Sequence, residues 1–295
     1  NATSHHSLWA HNHTRDPKAL PTGLLDWVNN VTFDYGIGFI LADSTATADY
    51  RANVENNYFL CPPGNTRPYA LSRSGVDSNG VPNFSLFYTN NLWDTDGDYL
   101  LDGHDHGSGI LSVVPGSLRV MTNAFARTAG IPVTQDSALV AYKKIVSQGG
   151  PLRLDANHPG GLRDEVANVL IASLLAQTHQ RFTSVINTGA SNGGYGTLNS
   201  TPMPADTDRD GMPNFWETAL GSNPNFDEHT NQVPAGAFIQ NNPAGHTLLE
   251  EYLHFKATPH AVLGKSVVDN PTSQDVDLRA YTGGFTSKPP VTYTI

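Results

Sequence analysis

Three stretches decide how this chain is read: DWVNNVTF (26–33), ANVENNYF (52–59) and LFYTNNLW (86–93). Each runs strand-forming residues into an Asn-Asn pair and leaves through an apolar or aromatic residue. With Ser7 taken as a degenerate counterpart of the second Asn, the positions are 7, 30, 57 and 91, separated by 23, 27 and 34 residues. A period of that size points to stacked units with loop insertions. Asn tolerates the left-handed backbone of a sharp bend, and its amide can bond the equivalent Asn one rung away. Separate hairpin turns of a β-sandwich are the alternative. Three matching rungs with aliphatic neighbours favour a parallel β-helix.

Composition agrees with a loop-rich β protein. The 295 residues are 38% hydrophobic and only 15% charged, with 27 Gly and 20 Pro. Such a chain can bury a sizeable core and has few long helices. A net charge of −10, from 17 Lys+Arg against 27 Asp+Glu, argues against nucleic-acid binding, because neutralising phosphates needs a basic surface. The longest apolar run, VLIASLLA (169–176), is too short to span a bilayer. The lone Cys61 forms no internal disulfide, so stability must come from packing or bound ions. Sequons at Asn1, Asn12, Asn30, Asn83 and Asn199 matter only if the source glycosylates.

After about residue 115 the texture changes. DSALVAYKKIVSQGG (136–150) predicts a helix with Asp136 as N-cap, an apolar stripe of Leu139, Tyr142, Ile145 and Val146, and a Gly149-Gly150 stop. LRDEVANVLIASLLAQTHQRF (162–182) predicts a second, with Asp164 and Glu165 in the first turn and a stripe through Val166, Val169, Leu170 and Leu174.

DTDRDGMPNFWE (206–217) matches the EF-hand loop D-x-D-x-D-G-x5-E. Asp206, Asp208 and Asp210 take positions 1, 3 and 5, Gly211 the turn at 6, and Met212 offers its carbonyl at 7. Asn214 stands at 9 and Glu217 at 12. Three carboxylates this close repel unless a cation offsets them, so the predicted ligand is calcium. QNNPAGHTLLEEYLHF (240–255) keeps Gly245 and Glu251 in the same frame, but Gln240, Asn242 and Ala244 replace the acids. It reads as a relic half-site that packs through Leu248, Leu249, Tyr252 and Leu253. DTDGD (94–98) has Tyr99 where the Gly belongs and no Glu at position 12, so it ranks as a weak metal candidate.

The segment HHSLWAHNHTRDP (5–17) crowds four histidines and an arginine around Leu8, Trp9 and Ala10. If it is extended, Trp9, His11, His13 and Arg15 share one face and Leu8 and Ala10 the other. His11 and His13 could reach one ion, yet no nearby Cys or carboxylate set completes a zinc tetrahedron. His5 and His6 read as structural.

Taken together, HHSLWAHNHTRDP is similar to the His-His-Asn-x-aromatic strand and Arg-x-Pro of bacterial pectate lyases of the parallel β-helix kind. LLDWVNNVTFDYG and YRANVENNYFLCPPGNTR resemble that family's next two rungs, and NSTPMPADTDRDGMPNFWE with LLEEYL resembles a calcium-loop tail of bacterial members. The resemblance covers most of residues 4 to 256 and implies a right-handed parallel β-helix, as a partial solenoid, with a helical C-terminal region and an EF-hand-like calcium loop. The expected organisation is β-helix rungs over 1–115, a helix-containing region over 116–200, a calcium-loop module over 201–256 and an extended tail over 257–295.

The resemblance also implies a secreted, calcium-dependent lyase acting on an acidic polysaccharide, pectate or polygalacturonate. Arg15, the Arg-x-Pro arginine, is then the base that removes the C5 proton while calcium bridges the substrate carboxylate. A guanidinium normally stays protonated, so neighbouring cations and bound calcium would have to favour its neutral form. His11, His13 and Lys18 are the substrate-binding and cationic candidates. Leu20 stands where members often have a second arginine, and the rungs that carry the family's substrate-calcium carboxylates are absent. A β-helix opened at Asn1 would expose an apolar cross-section and unpaired edges, so a second chain or the missing N-terminal half is expected to cover it.

Two other functions are conceivable. One is a non-catalytic extracellular β-helix that binds glycan or forms an assembly, stabilised by calcium. The other, a glycoside hydrolase, needs a matched carboxylate pair; Asp26 and Asp34 show no such arrangement in sequence.

Overall fold

The computed structural model describes residues 1–41, 45, 47–65, 69–127, 133–150, 163–180, 194–197, 202–234 and 245–257. The chain divides into two units, Asn1–Asn199 and Ser200–Ile295.

In the first unit the chain repeats a three-strand circuit. It runs through Ala2–His5 (β1), Leu8–Ala10 (β2) and Lys18–Ala19 (β3), then Leu24–Val28 (β4), Val31–Phe33 (β5) and Ile37–Leu41 (β6). The next circuit is Tyr50–Glu55 (β7), Tyr58–Leu60 (β8) and Tyr69–Arg73 (β9). The last is Phe84–Thr89 (β10), Leu92–Asp94 (β11), His104–Asp105 (β12) and Leu111–Val113 (β13), followed by Arg119–Val120 (β14). Strands stack by position into three sheets, ordered β1-β4-β7-β10-β14, β12-β11-β8-β5-β2 and β13-β9-β6-β3. Every pairing is parallel except that of β11 with β12. This mainly parallel arrangement is β-helix-like, as the repeats predict.

The Asn pairs make the corner between the first and second sheets. Asn29, Asn56 and Asn90 adopt φ of 55°, 55° and 52°, and His6 takes the same place at 49°. The second residue of each pair forms the ladder. Ser7 N–H donates to Asn30 Oδ1 at 3.1 Å, Asn30 N–H to Asn57 Oδ1 at 2.8 Å, and Asn57 N–H to Asn91 Oδ1 at 3.1 Å. Asn57 Nδ2 also donates to Asn91 Oδ1 at 2.8 Å. Bends that would otherwise bury unpaired amides are therefore satisfied from rung to rung, and Ser7 is the degenerate ladder position expected.

Alternation sorts the side chains. Trp27, Phe39, Leu41, Val54, Phe59, Leu71 and Leu86 pack inside the coil, where Trp9 joins them with its ring 5.0 Å from that of Trp27. Val31, Phe33, Tyr58 and Leu60 point outward from the second sheet, and Leu8, Ala10 and Leu92 lie with them. That outer face is covered by the helix Ala138–Gln148 (α1), through Ala138, Tyr142 and Ile145, and by Leu174 of the helix Glu165–Leu175 (α2). Both faces of the central strands β5 and β8 are thus buried, each large apolar side chain contributing about 1.5–3 kcal/mol. On the first sheet, Asn53 and Phe125 exchange hydrogen bonds at 3.1 and 2.9 Å, and Asn29 and Asp136 do so at 2.8 and 2.9 Å.

The helices depart from the sequence reading in detail. The N-cap of α1 is Ser137, whose hydroxyl accepts from Val140 N–H. Asp136 is drawn off by Lys144 at 2.6 Å and His6 at 2.8 Å. Leu139 is exposed, and Ala138 and Ala141 are buried in its stead. In α2 Asp164 is the N-cap, and the buried stripe is Ala167, Ile171 and Leu174 rather than Val166, Val169 and Leu170. Small side chains let the helices approach the sheet closely, which apolarity alone does not signal.

The second unit contains the helices Asn214–Leu220 (α3) and Leu248–Ala257 (α4), packed through Met212, Trp216, Val233 and Leu248 with Leu220, Leu249 and Tyr252 beside them. Leu253, expected in that core, is 54% exposed. Gln240, Asn242, Ala244 and the tail beyond residue 257 lie outside the described residues.

Candidate functional site

The turn between β2 and β3 holds the candidate base. Strand geometry ends at Ala10, because His11 takes φ of 60° while its N–H donates to Phe33 O at 3.0 Å. The expected alternation of Trp9, His11, His13 and Arg15 on one face is therefore broken. Trp9 enters the coil, and His11, 1% exposed, turns into a buried network instead of a basic surface.

His11 Nδ1 donates to Asp34 Oδ2 at 2.8 Å and Nε2 lies 2.6 Å from Ser173 Oγ. Asp34 also accepts from His179 Nδ1 at 2.7 Å and Gln180 N–H at 2.6 Å. Burial by itself would raise the Asp34 carboxyl, but the donors His11, Gln180 and His179 outweigh it and hold the group below its ordinary value. The contacts run in the order of a Ser-His-Asp triad. With the imidazole sealed from solvent and both its nitrogens engaged, they fasten α2 and the residues after it to the coil.

Arg15 is exposed, has φ of 71°, and its N–H donates to Ile37 O at 3.1 Å. The next residue, Asp16, donates from N–H to Gly38 O at 2.7 Å. His13 is exposed and Lys18 half-buried, where Lys18 pairs with Ile40 in the third sheet. Asp16 escaped the sequence reading, since an Asp before Pro looks like a surface turn. It is fully buried, its Oδ1 accepts from Asn12 Nδ2, and its Oδ2 has no hydrogen-bond partner.

Asp26, the other acid considered for hydrolysis, is held on the first sheet by Asn53 Nδ2 at 2.8 Å and Arg127 Nε at 3.1 Å. Arg127 also pairs with Glu55.

The 206–217 loop brings its first three aspartates together. Arg209 and Gly211 adopt φ of 64° and 94°, and their N–H groups donate to the Asp206 carboxylate at 2.7 and 3.1 Å. Ligand oxygens of Asp206, Asp208 and Asp210 lie within 4.8 Å of one another. Asn214 is engaged with Thr207, while Met212 buries its side chain in the core.

Glu217 is fully buried, yet neither carboxylate oxygen has a hydrogen-bond partner. Burial, then the charges of Asp208, Asp210 and Asp206, push its carboxyl up to about 7. Asp208 is likewise raised, by desolvation first and by Asp210 and Asp206 after it. Orphaned oxygens facing three carboxylates fit a hard divalent cation, which takes six to eight oxygen ligands. In the relic frame Glu251 is buried and contacts His246 Nδ1 at 3.1 Å.

A second acidic group joins Asp94 and Asp96 to Asp102, which lies outside any EF-hand spacing and so was not anticipated. Asp94 accepts from Tyr58 Oη at 3.2 Å, and burial pushes its carboxyl up to about 6.

The fold and this turn define a β-helix-like protein of mainly parallel sheets with an exposed arginine between its second and third sheets. No family model matches the chain. It is similar to "Probable pectate lyase C" of Aspergillus fumigatus, 31% identical over 224 residues, 75% of this chain and 47% of that protein. The proteins of the same name from Neosartorya fischeri (30% over 224 residues, 75% and 47%) and Aspergillus terreus (30% over 223 residues, 74% and 47%) are similar to it as well. These likenesses support a pectate lyase-like family. The relatives are fungal, whereas the sequence reading took the resemblance to be bacterial. The chain spans about half the length of the curated relatives it matches. Among the described residues no helix is long and apolar enough to cross a membrane.

Proposed function

We propose that the chain carries the base-bearing rungs of a secreted, calcium-dependent polysaccharide lyase that cleaves pectate, or a related uronate polymer, by β-elimination. The supporting observation is the exposed guanidinium of Arg15, set at positive φ on a turn tied to Ile37 and Gly38, in a chain similar to proteins named pectate lyase C. In its neutral guanidine form Arg15 takes the C5 proton of a uronate and becomes guanidinium, the C5–H electron pair forms the C4=C5 double bond, and the glycosidic C4–O bond breaks as the leaving oxygen takes a proton from water. Calcium, when bound at the substrate carboxylate, would make that C5–H more acidic. Lys18 and His13 lie on the same connection and favour an anionic polymer; His11 is withdrawn from the role expected of it, because it is buried under Asp34 and Ser173.

In the second unit, Asp206, Asp208, Asp210, the Met212 carbonyl, Asn214 and Glu217 would hold a structural calcium that offsets their mutual repulsion. The proposed solenoid is a right-handed β-helix whose end strands β1, β2 and β3 accept further rungs, from the N-terminal half or a second chain.

The test is the absorbance of unsaturated product from polygalacturonate, with and without chelator, for the chain joined to N-terminal rungs. Arg15→Ala and Arg15→Lys are expected to abolish the rise while leaving far-ultraviolet circular dichroism unchanged. No product from any uronate polymer would overturn the lyase reading in favour of glycan binding without catalysis.

A further inference from the structure

We propose that Asp16 is a positioning residue for Arg15: its buried carboxyl closes the 12–16 turn from inside, and the turn stays closed beneath the guanidinium only while that carboxyl is uncharged. The significance of this for catalysis rests on reading Arg15 as the base, but the geometry does not. Asp16 Oδ1 is held by Asn12, whose own carbonyl accepts from Gly36 N–H at 3.3 Å, so both ends of the turn are tied to the following rung. The backbones of Arg15 and Asp16 continue the tie to Ile37 and Gly38. Gly38 is wedged against the rung behind it, since a Cβ there would lie 2.4 Å from Ala70 O. The backbone to which the turn is tied is thus itself closely packed.

The remaining oxygen, Oδ2, has no donor. Protonated, the carboxyl tolerates this dry setting; ionised, it needs water, and water enters only if the turn opens. The groups that face it are Asn12 on its own turn and Asp34 and Tyr35 on the next rung, with His11 and His179 behind Asp34 and Cys61 behind Tyr35. Burial raises the carboxyl to about 7, Asn12 opposing and Asp34 adding to the rise, so the uncharged form persists near neutrality.

The test is the phenylglyoxal modification rate of Arg15, read by peptide mass spectrometry relative to exposed Arg51, at about pH 6 and about pH 8.5 on either side of the Asp16 transition. In the unmodified sequence the ratio is expected to rise about threefold or more across that interval, as the turn opens. Asp16→Asn, isosteric and always neutral, is expected to keep the low-pH ratio at both, and Asp16→Ala to give one displaced ratio at both. A flat ratio in the unmodified sequence, or a slope that survives in Asp16→Asn, would overturn the proposal. Failure of the lyase assay with the labelling slope intact would remove the catalytic reading and leave Asp16 as the control of the turn.

Discussion

Replacing Asp16 by Asn should stabilise the protein, and only above a definite pH. The carboxyl is fully buried and raised from 3.8 to about 7, so between those values the folded state holds a proton that the unfolded chain has released. With more protons bound in the folded form, stability falls as pH rises through that window, and the loss is complete above about 7. A rise from 3.8 to about 7 corresponds to a loss of about 4 kcal/mol at 1.36 kcal/mol for each pH interval, an upper figure because water entering the turn relieves part of it. Asn keeps the shape and the contact with Asn12 without the charge. Urea unfolding followed by the fluorescence of the packed Trp9–Trp27 pair should give nearly equal stabilities for the two proteins at about pH 4 and a gap of about 2–4 kcal/mol in favour of Asp16→Asn at about pH 8. Taking the difference between variants at each pH cancels the other titrating groups. A gap of the same size at both pH values would refute the argument, because it would assign the effect to packing rather than to charge.

Asp34 has the opposite sign. Held below its ordinary value, it contributes stability that is fully present above the unfolded carboxylate range and is lost as pH falls through its lowered folded value. His11→Ala, which withdraws one of its donors and the Ser173 contact, should lower stability by about 2–4 kcal/mol at neutral pH and speed amide exchange in α2. Asn57→Ala removes the acceptor of the Asn30 amide and the Nδ2 donor to Trp27 O and Asn91 Oδ1, and should lower the urea midpoint by the equivalent of about 2–4 kcal/mol. Calcium should raise the thermal midpoint of the chain reversibly with chelator, and Glu217→Gln should weaken calcium binding by about tenfold or more in titration calorimetry.

Much of the first unit could be read without coordinates, for a local reason. A corner in a stacked coil needs left-handed backbone and a self-complementary amide, and Asn supplies both, so the pairs 29–30, 56–57 and 90–91 mark the rungs and even the Ser7 substitute is recognisable. The 206–217 loop was legible likewise, because its acids sit at fixed intervals within twelve residues. The same pattern points to Glu217 as the last candidate ligand, although only the fold revealed that both its oxygens are buried without partners.

Features set by spacing along the chain, namely the repeat, the ladder and the acidic loop, are therefore readable from residue order alone. The tertiary structure decided which side of each turn faces water. One positive-φ residue, His11, ends the strand alternation, sending an imidazole that should have lined a basic surface inward to Asp34 and Ser173 and leaving Arg15 outside over a buried Asp16. Burial depends on the rung above and the helix alongside, residues 23 and 162 positions away from His11, and no local pattern encodes those neighbours.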